Sequence, residues 1–280
     1  MNQKGKVILI TGASSGIGYE TAMILAAEGH KVYGAARRTE RMEPLKEYGI
    51  VPIFMDMTDD GSMQAAVAYV MDTEGRIDVL VNNAGYGSLG AIENVPIDEA
   101  RRQLEVNVFG LARLTQLVLP HMRGQGSGTI INTSSIAGKS VFYMTGWYNV
   151  SKYAVEAFSD ALRIETKPFG IDVVIIEPGG IRTDWGAIAA DHLAESSKGT
   201  VYEEVASNEA DSLRKAYSMK ILPRPTVIAK TICRAVKARR PKARYRAGAG
   251  SGAILFLHGL LPTRWWDALV RLGGKRLLSP

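Results

Sequence analysis

"KVILITGASSGIGYETAMILAAEGHKVYGAAR" spans residues 6–37. Its first six residues, through Thr11, form a short apolar, branched run, the composition of a buried strand. Glycines at 12, 16 and 18 follow at once. A helical pattern then runs through "GYETAMILAAEG", and "HKVYGAAR" (30–37) reads as a second strand. Small residues in such a loop let the backbone approach a pyrophosphate, and a helix N-terminus favours its charge. The spacing is G-x-x-x-G-x-G rather than the commoner G-x-G-x-x-G. The alternative is a tight strand–helix turn that holds no ligand.

The pattern repeats along the chain. A charged helical segment around 39–48 leads to a third strand, "GIVPIFMD" (49–56). Residues 61–75 look helical, and "IDVLVNNAG" (77–85) is a fourth strand. A long helical region covers 97–123. "GTIINTSS" (128–135) and "GIDVVIIEPGG" (170–180) are the fifth and sixth strands, and "ARYRAG" (243–248) is a candidate last one. The strands are near-continuous Val/Ile/Leu runs, as in a parallel sheet covered by helices on both faces. The expected fold is therefore α/β, a doubly wound parallel sheet. Polar signals follow each strand, and ligands in such folds bind at the carboxyl ends of the strands.

Composition narrows the function. Of 280 residues, 46% are hydrophobic and 22% charged, which is ordinary for a globular chain. The formal net charge of +6 suits an anionic cofactor or a membrane surface without implying nucleic acid. The one cysteine, Cys233, permits no intramolecular disulfide and reads as an inert core residue. The four histidines show no ligand spacing, so no metal site is expected. The N-terminus has no signal-peptide pattern, which favours the cytoplasm. No stretch reaches the roughly 18 apolar residues needed to span a bilayer.

The second strand ends in "AARRTER". An acid there would bind ribose hydroxyls, whereas a basic residue suits a 2′-phosphate. Arg37 and Arg38 hold that place, and guanidinium forks match phosphate geometry. Ser14 could add a hydroxyl to the same phosphate. The expectation is NADP(H) in preference to NAD(H), against a merely solvated basic helix start.

"TGWYNVSKYAVEAF" (145–158) opens another helix. Val150, Ala154, Val155, Phe158 and Leu162 form a stripe at helical spacing. Tyr148 and Lys152 lie four apart on one face. By themselves they are either a surface pair or a device for moving a proton. A cation at about 4 Å, in an effective dielectric near 20, is worth roughly 4 kcal/mol before desolvation. That would lower a phenol by about three pKa units.

Together these motifs resemble the short-chain dehydrogenase/reductase family over about residues 5–240. They are "TGASSGIG" (11–18), "NNAG" (82–85), Asn107 in "LEVNVFG", Ser135 in "NTSS", "YNVSK" (148–152) and "EPGGIRT" (177–183). The resemblance implies a Rossmann-type sheet of about seven strands, a nicotinamide cofactor, and hydride exchange between an alcohol and a ketone or aldehyde. It assigns the four catalytic roles to Asn107, Ser135, Tyr148 and Lys152, the last also reaching the ribose. Ser135, thirteen positions before the tyrosine, is preferred to Ser134. It assigns cofactor contacts to Gly12, Ser14, Ser15, Gly16, Ile17 and Gly18, to Asp56 and Met57 near the adenine, and to Asn83, Ala84 and Gly85 on the ribose side. Pro178, Gly179, Ile181 and Thr183 would meet the nicotinamide half. A homodimer or homotetramer is implied as well.

In this family the segment here at 184–222 is a lid over the substrate. Trp185, Ile188, Leu193, Tyr202 and Tyr217 are its candidate lining, with Phe142, Tyr143, Met144 and Trp147 from the loop after Ser135. That lining suits a hydrophobic secondary alcohol or ketone, and the "EPGGIRTDWG" arrangement resembles the steroid and retinol dehydrogenase branch and uncharacterised bacterial oxidoreductases. Residues 1–250 are expected to be the dinucleotide-binding domain and 251–280 a helical extension. The extension mixes Leu, Phe and Trp with Arg and Lys. It could lie in a membrane interface, or pack on the body or on a partner subunit. Competing readings are an NAD(H)-preferring enzyme of the same family, a non-catalytic redox-sensing dinucleotide binder, and a membrane-surface interaction protein using the fold as a scaffold.

Overall fold

The computed structural model describes residues 5–219 and 221–276. Expectations that fall on residues 1–4, on Lys220 of the lid, or on 277–280 of the C-terminal extension lie outside the described residues. The strands are β1 (Val7–Thr11), β2 (Lys31–Ala36), β3 (Val51–Phe54), β4 (Val79–Asn82), β5 (Gly128–Thr133), β6 (Ile171–Pro178) and β7 (Arg244–Ala247). The helices are α1 (Gly16–Ala27), α2 (Asp60–Glu74), α3 (Ile97–Leu104), α4 (Leu111–Gln125), α5 (Gly146–Thr166), α6 (Trp185–Ser197), α7 (Glu203–Ser218), α8 (Thr226–Lys237), α9 (Ser251–Leu260) and α10 (Thr263–Arg276). The seven strands form one parallel sheet in the order β3-β2-β1-β4-β5-β6-β7. The direction of winding reverses between β1 and β4, and that switch point opens a crevice at their carboxyl ends.

Side chains of β1 alternate between two cores. Ile8 and Ile10 pack with Leu25 of α1 and with Ile228 and Ile232 of α8. Val7 and Leu9 pack on the other face with Val67 of α2, Leu114 of α4 and Leu162 of α5. Both faces are covered, which is why the strands read as continuous apolar runs. Each buried aliphatic side chain contributes about 1.5–3 kcal/mol.

Two expected helices take other forms. Residues Thr39–Tyr48 wind as a 3₁₀ helix with Pro44 inside it, where proline has no N–H to give to an α-helical ladder. The long 97–123 region is α3, a π-helical turn at Glu105–Gly110, and then α4. The lid region forms α6 and α7, whose Ala189, Ala190, Ala206 and Ala210 let the two helices approach closely. Beyond β7 the chain stays at the carboxyl edge of the sheet. An antiparallel bridge joins Gly180 and Ala249, with N–H···O distances of 3.0 Å in both directions, and α9 starts directly after it.

Candidate active site

A cleft of about 1020 Å³ opens at the carboxyl ends of the strands. One half of it is built on the β1–α1 loop. Gly12 and Gly16 hold φ of +68° and +56°, the left-handed region that glycine tolerates. A Cβ on Gly12 would stand 2.9 Å from Ala84 Cα. Thr11 Oγ1 accepts hydrogen bonds from the backbone N–H groups of Asn83 and Ala84, both at 3.0 Å. The glycine loop and the "NNAG" loop are thus laced together and leave a groove bounded by main chain. Ser14, Ser15 and Ile17 line it.

Arg37 and Arg38 leave β2 at the rim of this groove, exposed to solvent. Asp56 and Met57 border it from the end of β3. Asp56 Oδ1 accepts from both the N–H and the hydroxyl of Thr58, at 2.9 Å each. Asn83, Ala84 and Gly85, and on the far side Pro178, Gly179, Ile181 and Thr183, complete the wall. Open glycine backbone and a helix N-terminus are the donor set that a dinucleotide's pyrophosphate needs, with two exposed guanidiniums at the rim. The groove fits such a group.

The second half holds Ser135, Tyr148 and Lys152. Ser135 caps the 3₁₀ turn Ile136–Gly138, and its Oγ accepts from the N–H of Ala137 at 3.1 Å. Tyr148 stands in the first turn of α5 and meets the indole of Trp185 at 5.1 Å between ring centres. Burial raises its phenol well above the usual tyrosine range, and the facing Ser135 hydroxyl pulls it partly back. Lys152 is buried one turn on. Its ammonium donates to the Thr133 carbonyl at 2.9 Å and lies 5.8 Å from the centre of the Tyr148 ring. Burial brings it down to about 8 against a smaller upward pull from Glu156. This differs from the expectation that Lys152 holds the phenol down: desolvation is the largest cause at both groups, and it is Ser135 that draws Tyr148 back.

Two expected residues do not line the cleft. Gly18 lies behind it, where a Cβ would meet the Gly12 carbonyl at 2.3 Å. Asn107 sits buried in the π turn and clamps the Tyr86 residue. Its Oδ1 accepts from Tyr86 N–H at 3.1 Å, and its Nδ2 donates to Tyr86 O at 2.9 Å and to Ser151 Oγ at 3.1 Å.

On the substrate side Trp185, Ile188, Leu193, Tyr217, Phe142 and Tyr143 line the cleft as expected. Tyr202, Met144 and Trp147 do not. Met144 is buried in the lid core with a left-handed φ of 55°. Tyr202 instead meets Glu93. Trp185 stacks on Tyr217 at 5.7 Å. The wall also contains residues that the motifs did not mark: Tyr86, Glu99, His192, Glu209 and Val270. Tyr86 donates to Glu99 at 3.0 Å, and its ring lies 5.9 Å from that of His192. Burial raises the Glu209 carboxyl. Only Tyr86 carried a sequence signal, as the residue directly after "NNAG". Cys233 is buried away from the cleft, its thiol pushed up to about 12 by burial.

Residues 6–193 match the family described as short chain dehydrogenase. Among curated relatives, a probable short-chain type dehydrogenase/reductase from Helicobacter pylori is 36% identical over 271 residues, covering 96% of this chain and 98% of its own. A 3-ketodihydrosphingosine reductase from Bacteroides thetaiotaomicron is 36% identical over 253 residues, covering 87% of this chain and 88% of its own. A short chain dehydrogenase/reductase from Burkholderia phymatum, solved in complex with NAD, superposes with a TM-score of 0.78 at 25% identity, covering 93% of this chain and 94% of that one.

Proposed function

The chain belongs to the short-chain dehydrogenase/reductase family, an oxidoreductase family, and from that premise we propose an NADP(H)-dependent enzyme that interconverts a hydrophobic secondary alcohol and its ketone, or an aldehyde, with Tyr148 as general acid/base. The observation that carries the reading is the meeting of Ser135, Tyr148 and Lys152 beside a glycine-lined groove in one cleft. A bound nicotinamide dinucleotide supplies or accepts the hydride. Ser135 donates a hydrogen bond to the substrate oxygen and steadies negative charge there. Tyr148 delivers the proton to that oxygen in reduction and takes it back in oxidation. A phenol kept protonated by burial is suited to the reductive direction. Lys152 would hold the ribose and exchange protons at the site, supplying one in reduction and taking one up in oxidation. Asn107 supports the site from behind by fixing Tyr86.

Preference for the 2′-phosphorylated cofactor rests on Arg37 and Arg38 at the rim, where no carboxylate ends β2. The NAD found in the Burkholderia structure makes this a property to be decided by this chain's own arginines. The aromatic wall of Trp185, Tyr217 and Phe142 favours an apolar substrate. A relative that acts on 3-ketodihydrosphingosine points to lipid-like ketones. The same reading takes 1–250 as the catalytic domain and 251–280 as an extension with peripheral membrane contact, in a cytoplasmic homodimer or homotetramer.

The test is NADPH oxidation across long-chain ketones, aldehydes and steroids, with Tyr148→Phe as control. The variant should bind NADPH normally and lose about 10²–10⁴-fold in kcat. Absence of turnover with every carbonyl, or a Tyr148→Phe enzyme keeping more than about a tenth of kcat, would overturn the proposal.

A further inference from the structure

We infer that the outer face of the α9–α10 hairpin docks on an anionic phospholipid bilayer and holds the mouth of the cleft against it. Helix α9, "SGAILFLHGL", contains no Asp, Glu, Lys or Arg, yet Phe256 and Leu260 are 69% and 65% exposed. On α10, Trp265, Leu269 and Leu272 are 68%, 43% and 58% exposed and recur at spacings of four and three, so they share one face. An apolar face of this kind, left open to water, marks an interaction surface.

The hairpin is anchored beside the substrate entrance. Trp266, adjacent to the exposed Trp265, is only 7% exposed. Its indole N–H donates to Val141 O at 3.2 Å, and its ring meets Phe142 at 6.4 Å and His258 at 4.9 Å, both edge-on. Phe142 lines the cleft, and Val270, one turn beyond Trp266, lines it too. The exposed face of α10 therefore belongs to a helix that also edges the cleft, and the His258–Trp266 contact ties α9 to it.

Charge selects the occupant. Residues 251–276 carry Arg264, Arg271, Lys275 and Arg276 against Asp267 alone, an excess of three positive charges, within a chain of net charge +6. Arg264 and Arg271 are exposed. Each such cation near an anionic surface contributes about 1 kcal/mol, whereas a second copy would bring the same cations against these. At 1.5 Å per residue the helices reach only about 15 and 21 Å, too short for a hydrocarbon core of about 30 Å. They lie in the interface, with Trp265 at headgroup depth. If the enzyme acts on an apolar ketone as proposed above, the substrate enters from the bilayer without crossing water.

The test uses the full chain without cofactor or substrate, so that failure of turnover and failure of docking are read separately. Co-sedimentation with phosphatidylcholine vesicles is compared with vesicles that contain about 30 mol % phosphatidylglycerol. Binding to the anionic vesicles should be at least about tenfold tighter and should weaken with salt. The combined variant Trp265→Ser, Leu269→Ser, Leu272→Ser should lose that binding while keeping the wild-type circular dichroism spectrum and Tm. Three results would each overturn the inference: no binding to anionic vesicles, equal binding to both compositions, or wild-type binding by the folded variant. So would light scattering that shows a dimer which the variant abolishes, since the face would then be covered by a second copy.

Discussion

The ammonium of Lys152 gives a hydrogen to the main-chain carbonyl of Thr133 at 2.9 Å, while the ring of Tyr148 stands 5.8 Å away. The lysine is tied to the sheet first and faces the tyrosine second. Its charge is therefore governed mainly by burial, which lowers it to about 8 from an ordinary 10.5. Between those values the unfolded chain binds the extra proton, so this residue makes stability rise with pH across that window. Below about pH 8 the penalty of about 3 kcal/mol is fully present. In catalysis, alcohol oxidation releases a proton that a neutral Lys152 can take up, whereas reduction consumes one that its ammonium can supply. Alcohol oxidation should then rise with pH with an apparent midpoint near 8, and reduction should fall. Steady-state rates in both directions from about pH 6 to 10 check this, and a flat profile would contradict it.

The proposed preference for NADP(H) rests on Arg37 and Arg38. Loss of charged hydrogen bonds costs about 1.5–3 kcal/mol each. The double variant Arg37→Ser, Arg38→Ser should lose about 10²–10⁴-fold in kcat/KM for NADPH and change less than about threefold for NADH. Equal losses with both cofactors would remove these arginines from 2′-phosphate recognition.

Gly87 makes room for the lid. A Cβ there would lie 2.4 Å from Cζ2 of Trp185, the indole that meets the Tyr148 ring. Gly87→Ala should displace that indole, raising KM for the ketone about tenfold while leaving the cofactor Kd within about twofold. Isothermal titration and initial rates separate the two effects.

Arg244 holds three acids at the back of the site. It reaches Glu156 at 3.1 Å, Asp160 at 2.6 Å and Glu177 at 3.1 Å, and the side chains of Glu156 and Glu177 are 4% and 0% exposed. Arg244→Met would leave buried carboxylates short of a cation. Lys139 and Arg246 remain as partners, so the cost should be about 3 kcal/mol, at the low end for a broken buried pair. Calorimetry should show Tm lowered by roughly 5–10 °C.

The sheet was legible because β1, β4, β5 and β6 are apolar runs ended by polar loops, and a parallel sheet buried on both faces leaves that trace. The cofactor groove was legible for a related reason: glycine at 12, 16 and 18 is a backbone requirement visible in one dimension. The substrate wall was not. Glu209 and His192 come from two lid helices whose approach depends on alanines packed together, and Val270 arrives from the end of the chain. Nothing local marks such residues. Asn107 was found as a motif, but its clamp on Tyr86 depends on a turn geometry that apolar periodicity does not reveal.

That π turn has one more consequence. Each residue of an α-helix advances the face by about 100°. The turn at Glu105–Gly110 therefore sets the phase between α3, which carries Glu99 and Arg102 to the cleft, and α4, whose Leu114 and Val118 are buried against the sheet. Removing a single residue between 105 and 110 would rotate one helix against the other by about that angle. This stretch should accept changes of side chain far more readily than changes of length.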